Sequence, residues 1–115
     1  MVVDFSFKLK DEVITLKVKK LTTIIQQSSG LMFKKKSPPL LFIQKKPVRH
    51  SIHSFFCKPF IAIWLLNDKI IDIKLINPNQ ASIKPKEKFN KLLEIPNNTK
   101  EFKEILKFVD DTANI

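Results

Sequence analysis

A chain of 115 residues has room for one ordinary domain around a single hydrophobic core. A formal net charge of +10 admits an anionic partner, either nucleic acid or an acidic protein, but Arg49 is the only arginine, which argues against bidentate reading of phosphates or bases. One cysteine excludes an internal disulfide, one glycine excludes a phosphate-cradling loop, and no window approaches the roughly 18 apolar residues of a membrane span.

Taken from the start, residues 2–9 alternate, with Val3, Phe5, Phe7 and Leu9 on one side and Asp4, Ser6 and Lys8 on the other. Asp4 comes early and no basic segment precedes an apolar one, so no signal peptide is expected and the protein reads as soluble and cytoplasmic, with no membrane partner. Ile14, Leu16 and Val18 repeat the alternation after a polar break, which predicts a β-hairpin of unspecified turn type. Residues 21–29 have helical spacing at Leu21, Ile24 and Ile25, with Gly30 placed to end two helical turns. Lys34, Lys35 and Lys36 then form an exposed basic loop stiffened by Pro38 and Pro39. A short strand is expected over 40–43, followed by a basic turn over 44–47 that carries Lys45 and Lys46, with Arg49 soon after at the start of an imperfectly alternating segment.

Residues 50–66 hold both histidines, the cysteine and the only tryptophan, and apart from Lys58 their second half is apolar. They read as two adjacent core strands joined near Cys57 and Pro59. Asn67-Asp68-Lys69 turns the chain into another strand over 70–76, and residues 77–91 form a polar surface excursion. A strand over 92–95 follows, then an amphipathic helix that opens at Thr99, with Glu101 near its start and Lys107 near its end. Phe108, Val109 and Ile115 are expected to add a last short strand. Seven or eight short strands against one or two short helices predict a mostly β fold, a single small sandwich or barrel-like domain over 1–115.

The candidate chemistry is sparse. His50 and His53, three apart on an extended segment, point to opposite faces, so a metal site with Cys57 is not expected. Cys57 beside Lys58 has a nucleophilic reading, but a lone cysteine among phenylalanines reads better as a small buried hydrophobe. Phe55, Phe56 and Trp64 beside Arg49 and Lys58 could stack on single-stranded bases; core aromatics with lysines at their edges are the favoured reading. The acidic pairs Asp110-Asp111 and Asp68 with Asp72 sit beside a turn or the tail, where solvation explains them. No catalytic residue and no cofactor is expected.

Gly30-Leu31-Met32-Phe33, then Leu40-Leu41-Phe42, then His53-Ser54-Phe55-Phe56, and finally Asn77 and Leu92-Leu93-Glu94-Ile95-Pro96 form an ordered set over about residues 20–97. This set resembles the DUF192 family, also called UPF0127, in its short archaeal form. The resemblance implies a small, mostly β domain and a biochemical role that is unassigned. By position it carries over Gly30, Met32, Phe33, His53, Ser54, Phe55, Asn77 and Glu94 as ligand-binding candidates. Cys57 stands where the family has methionine, Pro59-Phe60 inverts the family order, Asn97-Asn98 replaces Ala-Gly, and Ala62 occupies the position of the family's aspartate. Two readings follow: a non-catalytic binding or accessory protein with a basic surface, or an enzyme or ligand-binding module with a cleft around His53, Ser54 and Glu94.

Overall fold

Alternation along residues 2–21 builds the first hairpin, in which β1 (Val2–Leu9) pairs antiparallel with β2 (Glu12–Leu21). Their two-residue connection, Lys10 and Asp11, has φ of 47° and 69°, the backbone of a type I′ turn whose twist matches the strands it joins. The same device recurs at Asn67 and Asp68, with φ of 52° and 67°, between β4 (Phe60–Leu66) and β5 (Lys69–Ile76). Asn and Asp tolerate the left-handed region, so neither turn needs glycine. The structure, a computed structural model, describes residues 2–22, 31 and 35–113, with side chains described to residue 109.

With β3 (Leu40–Val48) and β6 (Phe89–Pro96), these strands make one six-stranded sheet in the order β1-β2-β3-β6-β4-β5. The β2–β3 pair is parallel and every other pair antiparallel. The sheet curls into a half-barrel, so that edge strands β1 and β5 approach one another. The expected mostly β architecture is therefore present. The strand count falls to six among the described residues: 49–56 is not a strand of the sheet and contributes only the bridge between Ile52 and Ile83.

β4 explains the apolar run at the centre of the sequence. Ile61, Ile63 and Leu65 enter an inner core with Phe7, Val18, Leu41, Leu93 and Ile95. Phe60, Ala62 and Trp64 enter an outer one with Leu40, Phe42, Phe89 and Leu92. A central strand buried on both faces loses the polar half of its alternation. The inner core is closed by α1 (Lys100–Ala113), which contributes Ile105, Phe108 and Val109. Thr99 caps the helix, its Oγ1 accepting from the Phe102 amide at 3.3 Å and donating to the Pro96 carbonyl at 2.8 Å. The outer core is covered by two loop segments, 49–59 and 77–88, whose Cys57, Ile83 and partly buried Ile52 pack on the sheet.

Three local expectations change. Phe108 and Val109 belong to α1 and not to a last strand; a 14-residue helix also leaves Lys107 in its interior, with no basic residue in its last turn. Leu21 ends β2 and Thr22 follows it outside any helix, while residues 23–29 of the expected helical turns lie outside the described residues, as does Ile115. The turn expected at 44–47 is instead the second half of β3, where the pairing with β6 shifts register between Ile43 and Val48. Among the described residues no helix is long and apolar enough to cross a membrane.

Candidate functional site

Glu94 is the most unusual titratable residue of the fold. It lies on β6 at the middle of the sheet, with Leu40 of β3 on one side and Ala62 of β4 on the other. The alternation that sends Leu93 and Ile95 to the inner core sends Glu94 to the outer face beside Leu92, where only 6% of it is exposed. Burial pushes its carboxyl up from 4.5 to about 8, so that the neutral acid prevails at pH 7. Cys57 lies within the reach of its field: burial, and then the Glu94 charge, raise the thiol to about 11.

Of the other residues suggested by sequence, Ser54 is fully buried and fully engaged. Its Oγ donates to the Asn77 carbonyl at 2.6 Å and accepts from the Gln80 amide at 2.8 Å, and its own carbonyl receives the Asn79 and Cys57 amides. Ser54 thus pins the 53–57 turn to the 77–80 turn, and Asn77, itself exposed, serves through its backbone. His53 is exposed; its Nδ1 accepts from the Phe55 amide at 3.2 Å and its ring lies 5.5 Å from that of Phe55. The three residues of the suspected cleft therefore separate into a buried acid, a structural pin and a surface imidazole. Gly30, Met32, Phe33 and Lys34 lie outside the described residues. Among the described residues no three His, Cys, Asp or Glu side chains gather as a metal ion requires.

A thiol held up to about 11 is mostly protonated at neutral pH, and the thiolate is the reactive form. Native Cys57 is expected to react slowly with an aromatic disulfide reagent at pH 7–8, and quickly once the chain is unfolded. Labelling of the native protein at the rate of an exposed thiol would refute this.

The two loops that cover the outer core run side by side in opposite directions. Arg49 Nε donates to the Pro85 carbonyl at 2.9 Å, Ile52 and Ile83 exchange two backbone hydrogen bonds, the Ser54 amide donates to Gln80, and the Phe56 amide reaches Asn79 Oδ1 at 3.4 Å. Asp72, buried on β5, fastens the second loop by accepting the Lys86 amide at 3.0 Å. Lys74 adds a bond to the Lys84 carbonyl at 2.8 Å while its ammonium sits 5.7 Å from the Trp64 ring centre. Trp64 is fully buried, and its indole N–H meets no acceptor among the described residues. The base-stacking platform that included Trp64 is therefore not available, whereas Phe55 and Phe56, read as core aromatics, are 40% and 63% exposed.

The basic residues also fall differently from their sequence order. β3 is nine residues long, so Lys45 and Lys46 lie within it, about 17–20 Å from its start, and Arg49 stands just beyond its far end, about 30 Å from that start. Exposed Lys35 and Lys36 precede β3, where Ser37 and Asn98 exchange hydrogen bonds across the end of β6. Exposed Lys45, Lys46 and Arg49 lie toward the other end, and there the Arg49–Pro85 contact brings up Lys84, Lys86 and Lys88, all exposed. Sequence reading missed this second trio; its one signal was the spacing of three lysines two apart within a polar segment.

No family model matches the chain, and no curated protein matches it by sequence. Among solved structures, a protein of unknown function from Novosphingobium aromaticivorans superposes with a TM-score of 0.77 at 14% identity, covering 93% of this chain and 78% of that one. A candidate transcription regulator from Sinorhizobium meliloti superposes at 0.70 and 18% identity, covering 79% of this chain and 76% of the other. At such identities the likeness is one of fold.

Proposed function

We propose that the protein is a non-catalytic, cytoplasmic binding module of the DUF192 type whose basic surface meets an anionic partner. The observation that carries this is the union of Lys45, Lys46 and Arg49 with Lys84, Lys86 and Lys88 at one end of the sheet, where the only carboxylate in residues 45–49 and 84–88 is Glu87. A surface built from two segments far apart in sequence concentrates positive potential that neither holds alone. The neighbourhood of Glu94 supports the non-catalytic reading: Cys57 is held as a thiol, and Ser54 is occupied by backbone partners. The order of motifs and the mostly β fold support the family.

The test is retention on immobilised heparin over a salt gradient. The wild type is expected to bind and to elute early, because screening weakens contacts between exposed charges. A Lys84/Lys86/Lys88→Glu variant is expected to flow through, and a Lys35/Lys36→Glu variant to elute closer to the wild type. Equal retention of the wild type and the 84–88 variant would overturn the proposal.

A further inference from the structure

We infer that the ridge formed by residues 49–58 and 79–88 is a binding site for single-stranded nucleic acid, with the sugar–phosphate chain on the lysines and bases stacked on Phe55, Phe56 and His53. The inference rests on the proposed anionic-partner reading and names the partner.

The ridge is two-sided by construction. Ile52 and Ser54 point inward, to Ile83 and to the 77–80 turn, so the residues between and beside them, Ser51, His53 and Phe55, point to solvent. From Arg49 to Ser54 the segment spans at most about 17 Å, and it then turns at Phe55 and Phe56. Cations stand along it and beside it: Arg49, Lys84, Lys86 and Lys88 at one end, and exposed Lys58 at the other, beyond the aromatic turn. An anionic chain laid along the ridge meets positive charge at both ends and rings between them.

The rings are held outward by the backbone. Phe56 has φ of 59°, a conformation that a bulky side chain enters only when its surroundings impose it. The surroundings are visible: the Phe56 amide is taken by Asn79 Oδ1, and the next amide, that of Cys57, by the Ser54 carbonyl at 3.2 Å. The turn buries Cys57 and turns Phe56 away from the outer core, in a fold where Phe7, Phe42, Phe60, Phe89 and Phe108 are all buried. The Phe55 ring lies beside that of His53, tilted by 34° from it. Exposed rings among cations fit unpaired bases, which offer π-faces that a duplex keeps within its own stack. An acidic peptide would match the charge but offer no flat π-face to the exposed rings. Arg49 has its Nε committed to Pro85, so hydrogen-bonded reading of base edges is not expected and the site should be indifferent to sequence.

The experiment is fluorescence anisotropy of a labelled short oligothymidine, titrated with the full chain at about 50 and 200 mM salt, since binding by phosphate neutralisation fades over that range. A duplex of equal length and poly-glutamate are the competitors. Oligothymidine is expected to bind at the lower salt, several-fold better than duplex, with poly-glutamate a poor competitor. Phe55→Ala and Phe56→Ala are each expected to weaken it by about fivefold or more while leaving heparin retention unchanged, and Phe55→Trp to restore it. The alanine variants change exposed residues, and an unaltered circular dichroism spectrum checks that they fold. Equal binding by the alanine variants, equal binding of duplex, or displacement by poly-glutamate overturns the inference while leaving the anionic-surface reading intact; loss of heparin retention as well removes both.

Discussion

Raising the pH from 5 to 8.5 is expected to cost the wild type several kcal/mol of stability, and a Glu94→Gln variant much less. The cause is the difference between the folded and unfolded states of one carboxyl. Unfolded, Glu94 loses its proton near 4.5; folded, burial keeps the proton on until about 8. Below 4.5 both states are protonated and the folded state carries no penalty from this residue. Between 4.5 and 8 the unfolded state has released a proton that the folded state retains, so stability falls as pH rises, by up to about 1.4 kcal/mol per pH unit. Above 8 the folded state ionises too, and the loss levels off. Glutamine preserves the shape and cannot ionise; its amide brings a hydrogen-bonding cost of its own, of about 1–3 kcal/mol, that does not change with pH. The difference between the two stability curves therefore isolates the Glu94 titration. Urea denaturation at intervals across this range measures it. A difference that stays constant, or moves in favour of the wild type as pH rises, would mean that the folded state releases the Glu94 proton at least as readily as the unfolded state does.

The placement of that carboxyl shows how far the sequence could be read. The period-two runs and the polar breaks made the hairpins legible, because strand alternation and turn chemistry are local properties. Lys10 and Asp11 could not be assigned to a type I′ turn in advance, since neither residue demands positive φ; the strands they join impose it. Phe55 and Phe56 were legible as aromatics and not as exposed ones, because their orientation is fixed by Ser54 and Asn79, the latter 23 residues further along the chain. The basic surface was only half visible for a similar reason. The charge excess lies in the first 60 residues, with 12 Lys and Arg against 3 Asp and Glu, yet Arg49 finds its neighbours in Lys84, Lys86 and Lys88. Glu94 reads in sequence as one polar residue within an apolar strand. Its burial became predictable only once both sheet faces were known to be covered.

Ala62→Asp is expected to destabilise the protein by about 3–5 kcal/mol, and most of that loss is expected to depend on Glu94 and on pH. Position 62 is fully buried on β4, and the register sets it directly opposite Glu94 on β6. Side chains so paired have Cβ atoms about 5 Å apart. Two carboxyls at that distance, away from water, cannot both ionise, so the pair would share a proton and the second ionisation would move up further. One feature works against the loss: on its other side Ala62 pairs with Lys74 of β5, whose ammonium already lies 3.8 Å from Asp72 Oδ2. A new carboxyl could draw that ammonium inward, but only by weakening its bonds to Asp72 and to the Lys84 carbonyl, which help to fasten the 77–88 loop. Ala62→Asn adds the same volume without a charge and measures the steric part. Combining Ala62→Asp with Glu94→Gln closes a double-mutant cycle, in which the second change should recover more than 1 kcal/mol at pH 8 and little at pH 5. Additive effects at both pH values would show that the two positions do not meet across the sheet.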